Sequence, residues 1–228
     1  MRLRRTKPVV AAFAASVLAA AAALLALDLW WRHDRALASA ETRAANLSVA
    51  LSEYVRSTFA LADTSLRQLE IHGRRVGGPR AAAAEWQPIL EATDIALPGR
   101  GSVSVTDAQG VVVHSTLQSI VGQPRAGHYL FTHLSTHDTD DMVVDEPFPS
   151  PVRDGMYVLP VGRRLEGPDG RFAGLVVAVM LPDAFESVFG TIDVGREGVL
   201  EVFHRNGVVM FREPTAADPM GQQAGDHP

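Results

Sequence analysis

The 228-residue chain contains no cysteine. Disulfides, thiolate metal sites and cysteine nucleophiles are therefore excluded, but the compartment is not fixed, because an exported domain can fold without disulfides. Lysine is nearly absent as well: Lys7 is the only one among 21 basic residues, and the other twenty are arginine. Nor is there a broad basic surface. Residues 1–31 hold Arg2, Arg4, Arg5 and Lys7 against Asp28, a local +3 within a total of −5, which leaves −8 on the remainder. An acidic body lacks the electrostatic footprint of nucleic-acid binding, so no nucleic-acid partner is expected. The sequence has no G-x-S-x-G elbow, Walker loop or G-x-G-x-x-G fingerprint. His114 and Ser115 are adjacent, but neighbours on a strand point to opposite faces. No catalytic residue, no cofactor and no enzymatic activity are expected of this chain.

What is present begins with an apolar run. Val9 to Leu27 carries no charge, and the stretch from Pro8 to Trp31, "PVVAAFAASVLAAAAALLALDLWW", is long enough to cross the membrane. A helix needs about 20 such residues for ~30 Å of hydrocarbon. "MRLRRTK" before it marks the cytoplasmic side, and Trp30 and Trp31 occupy an interfacial position. The rival reading is a cleaved signal peptide, since "ALASA" at 36–40 has A-x-A spacing. The apolar stretch exceeds a usual signal core, and helical sequence runs straight through that spot, which favours an uncleaved anchor. Either reading exports the body, and the anchor reading gives a single span of the inner membrane with a periplasmic domain.

The body reads as α+β. Residues 34–71 form one long helix, with Leu47, Leu51, Tyr54, Thr58, Leu61, Ser65 and Leu69 as its apolar stripe. "GGPR" at 77–80 breaks it, and "AAAAEWQPILEA" gives a short helix interrupted or kinked by Pro88. The period then changes to two. "SVSVTDAQGVVVHST" is a hairpin with Gly110 at its turn, "GHYLFTHL" a short helix, and "MVVDEPF" a strand stopped by prolines. "GMYVLPVGRRL" and "RFAGLVVAVML" are long strands joined by "EGPDG", and the almost wholly apolar second one is expected to be central. "PDAFESVFGTI" is a short helix, and "GVLEVFHRNGVVMF" a last hairpin turning at Asn206-Gly207. The expected architecture is a long N-terminal helix packed on an antiparallel sheet of about five strands.

The stretch "HYLFTHLSTHDTDD" at 128–141 suggests a metal by its composition. His133 and His137 share a helix face, but the intervening "LST" is not the glutamate-bearing zincin pattern, and the aspartates lack calcium-loop spacing. No metal site is expected. Arg163 and Arg164 are adjacent on a strand, so one faces the core or a pocket and the other solvent. The inward one could hold a carboxylate with its fork of donors, or pair across strands with Asp145 or Glu146.

Taken together, the anchor, the helix "LSVALSEYVRSTFALADTSLRQLE", the hairpin "GVVVHST", the segment around Tyr129 and above all "VGRRLEGPDGRFAGLVVAVMLPDAFESVFGTIDVGREGVLEVFHRNGVVMFREP" resemble a known family. It is the double Cache (PDC, PAS-like) extracytoplasmic sensor domain of bacterial diguanylate cyclases, sensor histidine kinases and chemoreceptors. The resemblance covers nearly the whole chain. It implies a cytoplasmic tail at 1–7, a transmembrane helix at 8–31, a long helix with a distal PAS-like lobe at 32–192, the start of a proximal lobe at 193–213, truncated here, and a disordered tail at 214–228. It also implies a homodimer through the long helix and an output domain downstream. No second apolar run and no GGDEF-like or kinase motif occurs after residue 181.

The resemblance places a ligand pocket on the distal lobe, between helix and sheet, for a small polar or anionic molecule. The expected ligand-binding set is Tyr129, Arg163, Tyr157, His114, Asp145 and His128. Amino-acid sensors of the family carry an arginine just before their aromatic pair. Here Gly127 takes that place, Leu130 replaces the second aromatic, and Arg125 is out of register, which argues against an amino-acid ligand. Two alternatives are a non-sensing remnant that dimerises through its helix and an exported metal-binding protein.

Overall fold

The computed structural model describes residues 6–152, 155–195, 198–214 and 220–223. Two compact units divide between Glu53 and Tyr54. The first unit is helical. Helix α1, Thr6–Val76, starts in it, and every side chain described from 12 to 46 is exposed. With a mean hydropathy of 2.1 over its best window, this helix is long and apolar enough to cross a membrane.

The second unit holds the C-terminal turns of α1, helices α2 (Ala83–Ala96), α3 (Tyr129–Thr136) and α4 (Asp183–Phe189), and two sheets. Helix α1 passes through Gly73 and ends only at Val76, where Gly77 and Gly78 take positive φ. Gly73 is required for packing: a Cβ there would lie 2.7 Å from Leu165 and 2.9 Å from Trp86. Helix α2 accommodates Pro88 internally and continues to Ala96, burying Trp86 and Leu90.

The main sheet has six antiparallel strands rather than five. Strands β1 (Arg100–Asp107), β2 (Val112–Ser115), β3 (Val143–Val144), β5 (Tyr157–Glu166) and β6 (Phe172–Met180) stand in the order β2-β1-β6-β5-β3, with β4 (Phe148–Pro149) also paired to β5. The extra strand arises because "MVVDEPF" splits in two at Pro147, which cannot donate to a ladder. Strand β6 is central, as its apolar sequence requires. Register divides the sheet into two faces. One carries Val103, Val105, Val161, Arg163, Val176 and Ala178, and the other carries Ser102, Ser104, Thr106, Pro160, Val177 and Val179. Trp86 and Glu70 lie on the first face, so the helices α1 and α2 cover it.

Of the expected stripe of α1, Leu51, Thr58 and Leu69 are buried, but between Thr58 and Leu69 the buried positions are shifted by one. Thr58, Ala62, Leu66, Leu69 and Glu70 are buried, whereas Leu61 is 46% exposed. Ala62 and Leu66 take the inward phase there, with Glu70 beside Leu69 facing the sheet.

Strands β7 (Leu200–Phe203) and β8 (Val209–Glu213) form a separate two-stranded sheet, as expected for a hairpin that does not join the first. Phe211 packs against Phe185 and Phe189 of α4, with ring centroids 5.8 and 5.2 Å apart. Two strands alone are marginal, and this aromatic contact with a helix stabilises them. Within the tail expected to lack order, Gly221–Gln223 instead pair along β8. Val209 N–H donates to Gln222 O, and Gly221 N–H to Val209 O. Residues 215–219 and 224–228, also assigned to that tail, lie outside the described residues.

Candidate ligand-binding site

The sheet face away from α1 is covered by α3, by the strap of residues 117–128 and by residues 145–152, and between them lies a cavity of about 100 Å³. One water needs only ~10–15 Å³ measured this way, so there is room for a small organic molecule. Its floor is the alternation of β1: Ser102, Ser104 and Thr106 stand on the cavity side, while Val103 and Val105 face the helices. Leu130 and Phe131 of α3, with Ile120, Phe148 and Val177, supply apolar walls.

The lining surface is almost wholly apolar, and three residues with charged or titratable side chains stand along it: Arg125, His128 and Asp145. The strap that carries Arg125 is fixed by backbone bonds, with Arg125 N–H donating to Gly110 O at 2.7 Å and Val112 N–H to Gln123 O at 3.1 Å. The Arg125 guanidinium donates to Gln123 Oε1 at 2.8 Å. His128 immediately precedes α3, and its ring lies 5.4 Å from that of Phe148. Burial lowers the His128 pKa, the Arg125 charge lowers it further, and Asp145 opposes both. Asp145 follows β3 and is only 7% exposed. Its Oδ1 accepts from Glu146 N–H at 2.8 Å. Among the described residues, no arginine or lysine stands within ion-pair distance of it.

Burial raises the Asp145 pKa above its ordinary 3.8, against the opposing N–H groups of Glu146 and Leu130 and the nearby His128. The folded protein therefore holds this proton more tightly than the unfolded chain. That contribution to stability is fully present below the unfolded value and is lost as pH rises through the folded one. Asp145→Asn keeps the neutral shape at every pH. It is expected to remove this part of the pH dependence and to raise the neutral-pH melting temperature. A gain on the order of 1 kcal/mol corresponds to ~2–4 °C at this chain length. Calorimetry across pH 3–7 reads the effect, and a variant that melts lower than wild type at pH 7 contradicts it.

The structure brings together only two of the six sequence-predicted residues, Asp145 and His128. Tyr129 is 45% exposed and stacks on His133 at 5.3 Å, because α3 turns Leu130, Phe131 and Leu134 inward instead. Tyr157 starts β5 at the far end of the sheet, against Gly221. His114 lies on the helix side, stacked on Trp86 at 5.9 Å with Nε2 bonded to Pro79 O at 2.9 Å, and burial lowers its pKa. Arg163 is also on the helix side, where Nε donates to Glu70 Oε2 at 3.0 Å and Nη1 to Asp63. Its counter-ions are Asp63 and Glu70 of α1 and, at 3.8 Å, the Asp140 carboxylate, not Asp145 or Glu146. Arg164 does not face open solvent either: it lies 4.9 Å over the Phe172 ring and donates to Leu134 O at 3.0 Å.

Sequence reasoning passed over Arg125 and the three hydroxyl residues of β1. The second omission had a signal in "SVSVT": hydroxyls alternating with valines in a strand buried on both faces mark a polar-floored space. His133 and His137 stack at 4.3 Å, and no group of three metal-ligating side chains converges among the described residues.

No family model matches the chain, and no curated protein does. Solved structures do. The extracellular domain of the candidate histidine kinase rpHK1S-Z16 superposes with a TM-score of 0.74 at 26% identity, covering 82% of this chain and 75% of that one. An extracellular ligand-binding receptor from Desulfohalobium retbaense gives 0.62 at 19% identity, over 77% of this chain but only 32% of the receptor. The ligand-binding domain of the Pseudomonas aeruginosa amino-acid chemoreceptor PctC, in complex with GABA, gives 0.55 at 14% identity, covering 77% and 76%. The fold is that of the Cache-like periplasmic sensor domains of histidine kinases and chemoreceptors. The cavity of this chain lies between α3 and the sheet, on the face opposite α1.

Proposed function

We propose that this chain is the membrane-anchored, periplasmic sensing part of a bacterial signal-transduction protein, and that its cavity takes a small carboxylate, with or without an amine. The sensor-domain fold supports the first half. The observation that carries the second is the cavity itself, an almost wholly apolar space with Arg125, His128 and the buried Asp145 among the residues at its wall. A guanidinium there can bind a carboxylate through paired donors. Asp145 offers an ammonium group a desolvated partner, and the apolar walls take a short hydrocarbon body. The absence of an arginine at 127 no longer weighs against zwitterions, because Arg125 reaches the cavity from two residues upstream. Two structural neighbours are complexes with such molecules, PctC with GABA and the Pseudomonas fluorescens chemoreceptor CtaA with L-serine. In this reading α1 anchors the protein in the inner membrane and pairs with a second copy, and the β7–β8 hairpin begins a proximal lobe.

The test is a thermal-shift panel on the chain in detergent, using short mono- and dicarboxylates, 4-aminobutyrate, L-serine and L-valine. A ligand at 100 times its Kd stabilises by about 2.7 kcal/mol, a shift of several degrees. Arg125→Ala should weaken every hit, about 10–100-fold for a lost charged hydrogen bond. Asp145→Ala should weaken only hits that carry an amine. A panel without a single shift, or hits indifferent to Arg125, would sink the reading.

A further inference from the structure

Arg163 has a geometry that stability alone does not explain. It is 2% exposed, on the helix face of β5, and each of its three nitrogens has a separate partner. Two partners are carboxylates of α1, Asp63 and Glu70, seven residues and therefore two turns apart on one side of the helix. The third is Asp140, through its backbone carbonyl and, at 3.8 Å, its carboxylate, which also stands 3.7 Å from Arg67 of α1. That carbonyl belongs to the segment that leaves the cavity side of the sheet at the end of α3 and reaches β3 at the sheet edge. The segment is bounded by cavity-lining residues on both sides, Phe131 before it and Asp145 after it. Arg164, pointing the other way, holds the Leu134 carbonyl at the C-terminal end of α3. Two consecutive arginines of one strand thus fasten the same connection from opposite faces of the sheet.

We infer that Arg163 transmits the state of the cavity to α1. The inference rests on the sensing reading above and adds to it the residue through which occupancy is relayed. A shift of α3 or of Asp145 that accommodates a ligand moves the Asp140 carbonyl, and the rigid guanidinium fork passes that displacement to Asp63 and Glu70. A planar fork with fixed donor directions suits this role, since loss of one bond reorients the other two. An apolar side chain of similar volume holds a buried position as well as an ion pair does, so the fork is retained for what it connects. Glu70 also pairs with Arg74, and Asp63 is partly exposed. Removing the guanidinium therefore strands no buried charge.

The test needs no ligand, so its outcome is separable from that of the binding panel. Val177 packs beside Leu130, Phe131 and Leu134 at the cavity wall, and Val177→Phe fills the cavity as a ligand would. Hydrogen exchange of the amides of residues 56–76 is measured on the full chain in detergent for wild type, Val177→Phe, Arg163→Met and the double variant. Val177→Phe is expected to change exchange in this part of α1 at least threefold, and the change is expected to vanish when Arg163→Met is present. Ser104→Leu serves as a second filler. Arg163→Lys, which keeps the charge but not the fork, replaces Arg163→Met if the latter lacks a cooperative thermal transition. An α1 that neither filler alters, or that the fillers alter equally with and without Arg163, overturns the inference.

Discussion

Glu70→Ala is expected to cost about 3–5 kcal/mol, as is usual when one partner of a buried ion pair is removed and the other charge stays behind. Glu70 is 4% exposed and bonds both Arg163 and Arg74. Its loss leaves Arg163, itself almost fully buried, with Asp63, the Asp140 carbonyl and the largely exposed Asp140 carboxylate at 3.8 Å. Asp63 is 39% exposed at its side chain, so Asp63→Ala removes a pair that water already screens, and should cost no more than about 1 kcal/mol. Arg163→Met should be close to neutral. It removes the cation, while Glu70 keeps Arg74 and Asp63 keeps solvent. The signature is therefore a steep ordering of three substitutions at one ion-pair cluster, Glu70 far above Asp63 and Arg163→Met, measured by urea denaturation in detergent. Similar losses for Glu70→Ala and Asp63→Ala would show that the burial of Glu70 does not govern the cluster.

The same cluster shows where sequence reading reaches its limit. Alternation along "VGRRL" established that Arg163 and Arg164 point to opposite faces, and they do. It could not say which face held the cavity, because β5 is covered on both sides and neither arginine reaches open water. The assignment of Arg163 to a ligand failed at that step. The helix stripe held at Leu51, Thr58 and Leu69 and slipped by one residue between Thr58 and Leu69. Ala62 and Leu66 are buried in place of Leu61 and Ser65, and Glu70 is buried beside Leu69 because β5 presents a cation to this part of α1. Long elements with strong patterns were legible: the apolar central strand, the hairpin at Gly110, the short helix from Tyr129 and the final hairpin at Asn206-Gly207. The tail residues 221–223 were not, since their pairing with β8 is a backbone property with no side-chain signature.

In the site, position mattered more than residue type. Tyr129 attracted notice as the one aromatic where the family has a pair, but α3 is an eight-residue helix. Only the residues at one angular phase of so short a helix point inward, and Leu130, Phe131 and Leu134 occupy it. Arg125 was dismissed as out of register with a motif. A strap held by main-chain bonds to Gly110 and Val112 does not keep a strand's register, so two residues of slip still bring a guanidinium to the same space. Asp145 and His128 lie at segment boundaries, next to β3 and α3, where backbone direction changes and side chains project into the gap between layers.

Gly174→Ala should be the most damaging single substitution in the sheet, on the order of 4 kcal/mol or more. Gly174 has φ of +153°, and a Cβ there would sit 1.9 Å from the carbonyl oxygen of Thr106 and 2.8 Å from its carbonyl carbon. Both are backbone atoms of β1, the direct neighbour of β6, so no side chain can swing aside to make room. The glycine in "RFAGLVVAV", part of the sequence pattern on which the family resemblance rests, is thus explained by the close approach of two central strands. The consequence reaches the cavity as well. Thr106 lines it, and the Thr106 hydroxyl accepts from Leu175 N–H at 3.0 Å, so pushing the strands apart there shifts the floor on which a ligand would rest. Gly122→Ala provides the control. It too has positive φ, +83°, but no atom lies within 4 Å of its added Cβ. It should cost only the ~1–2 kcal/mol of left-handed backbone, with binding unchanged. Denaturation midpoints and the thermal-shift hits of the two variants, compared side by side, separate the contribution of strand contact from that of backbone conformation. A Gly174→Ala protein within 1 kcal/mol of wild type would mean that β1 and β6 do not approach as closely as this sheet requires.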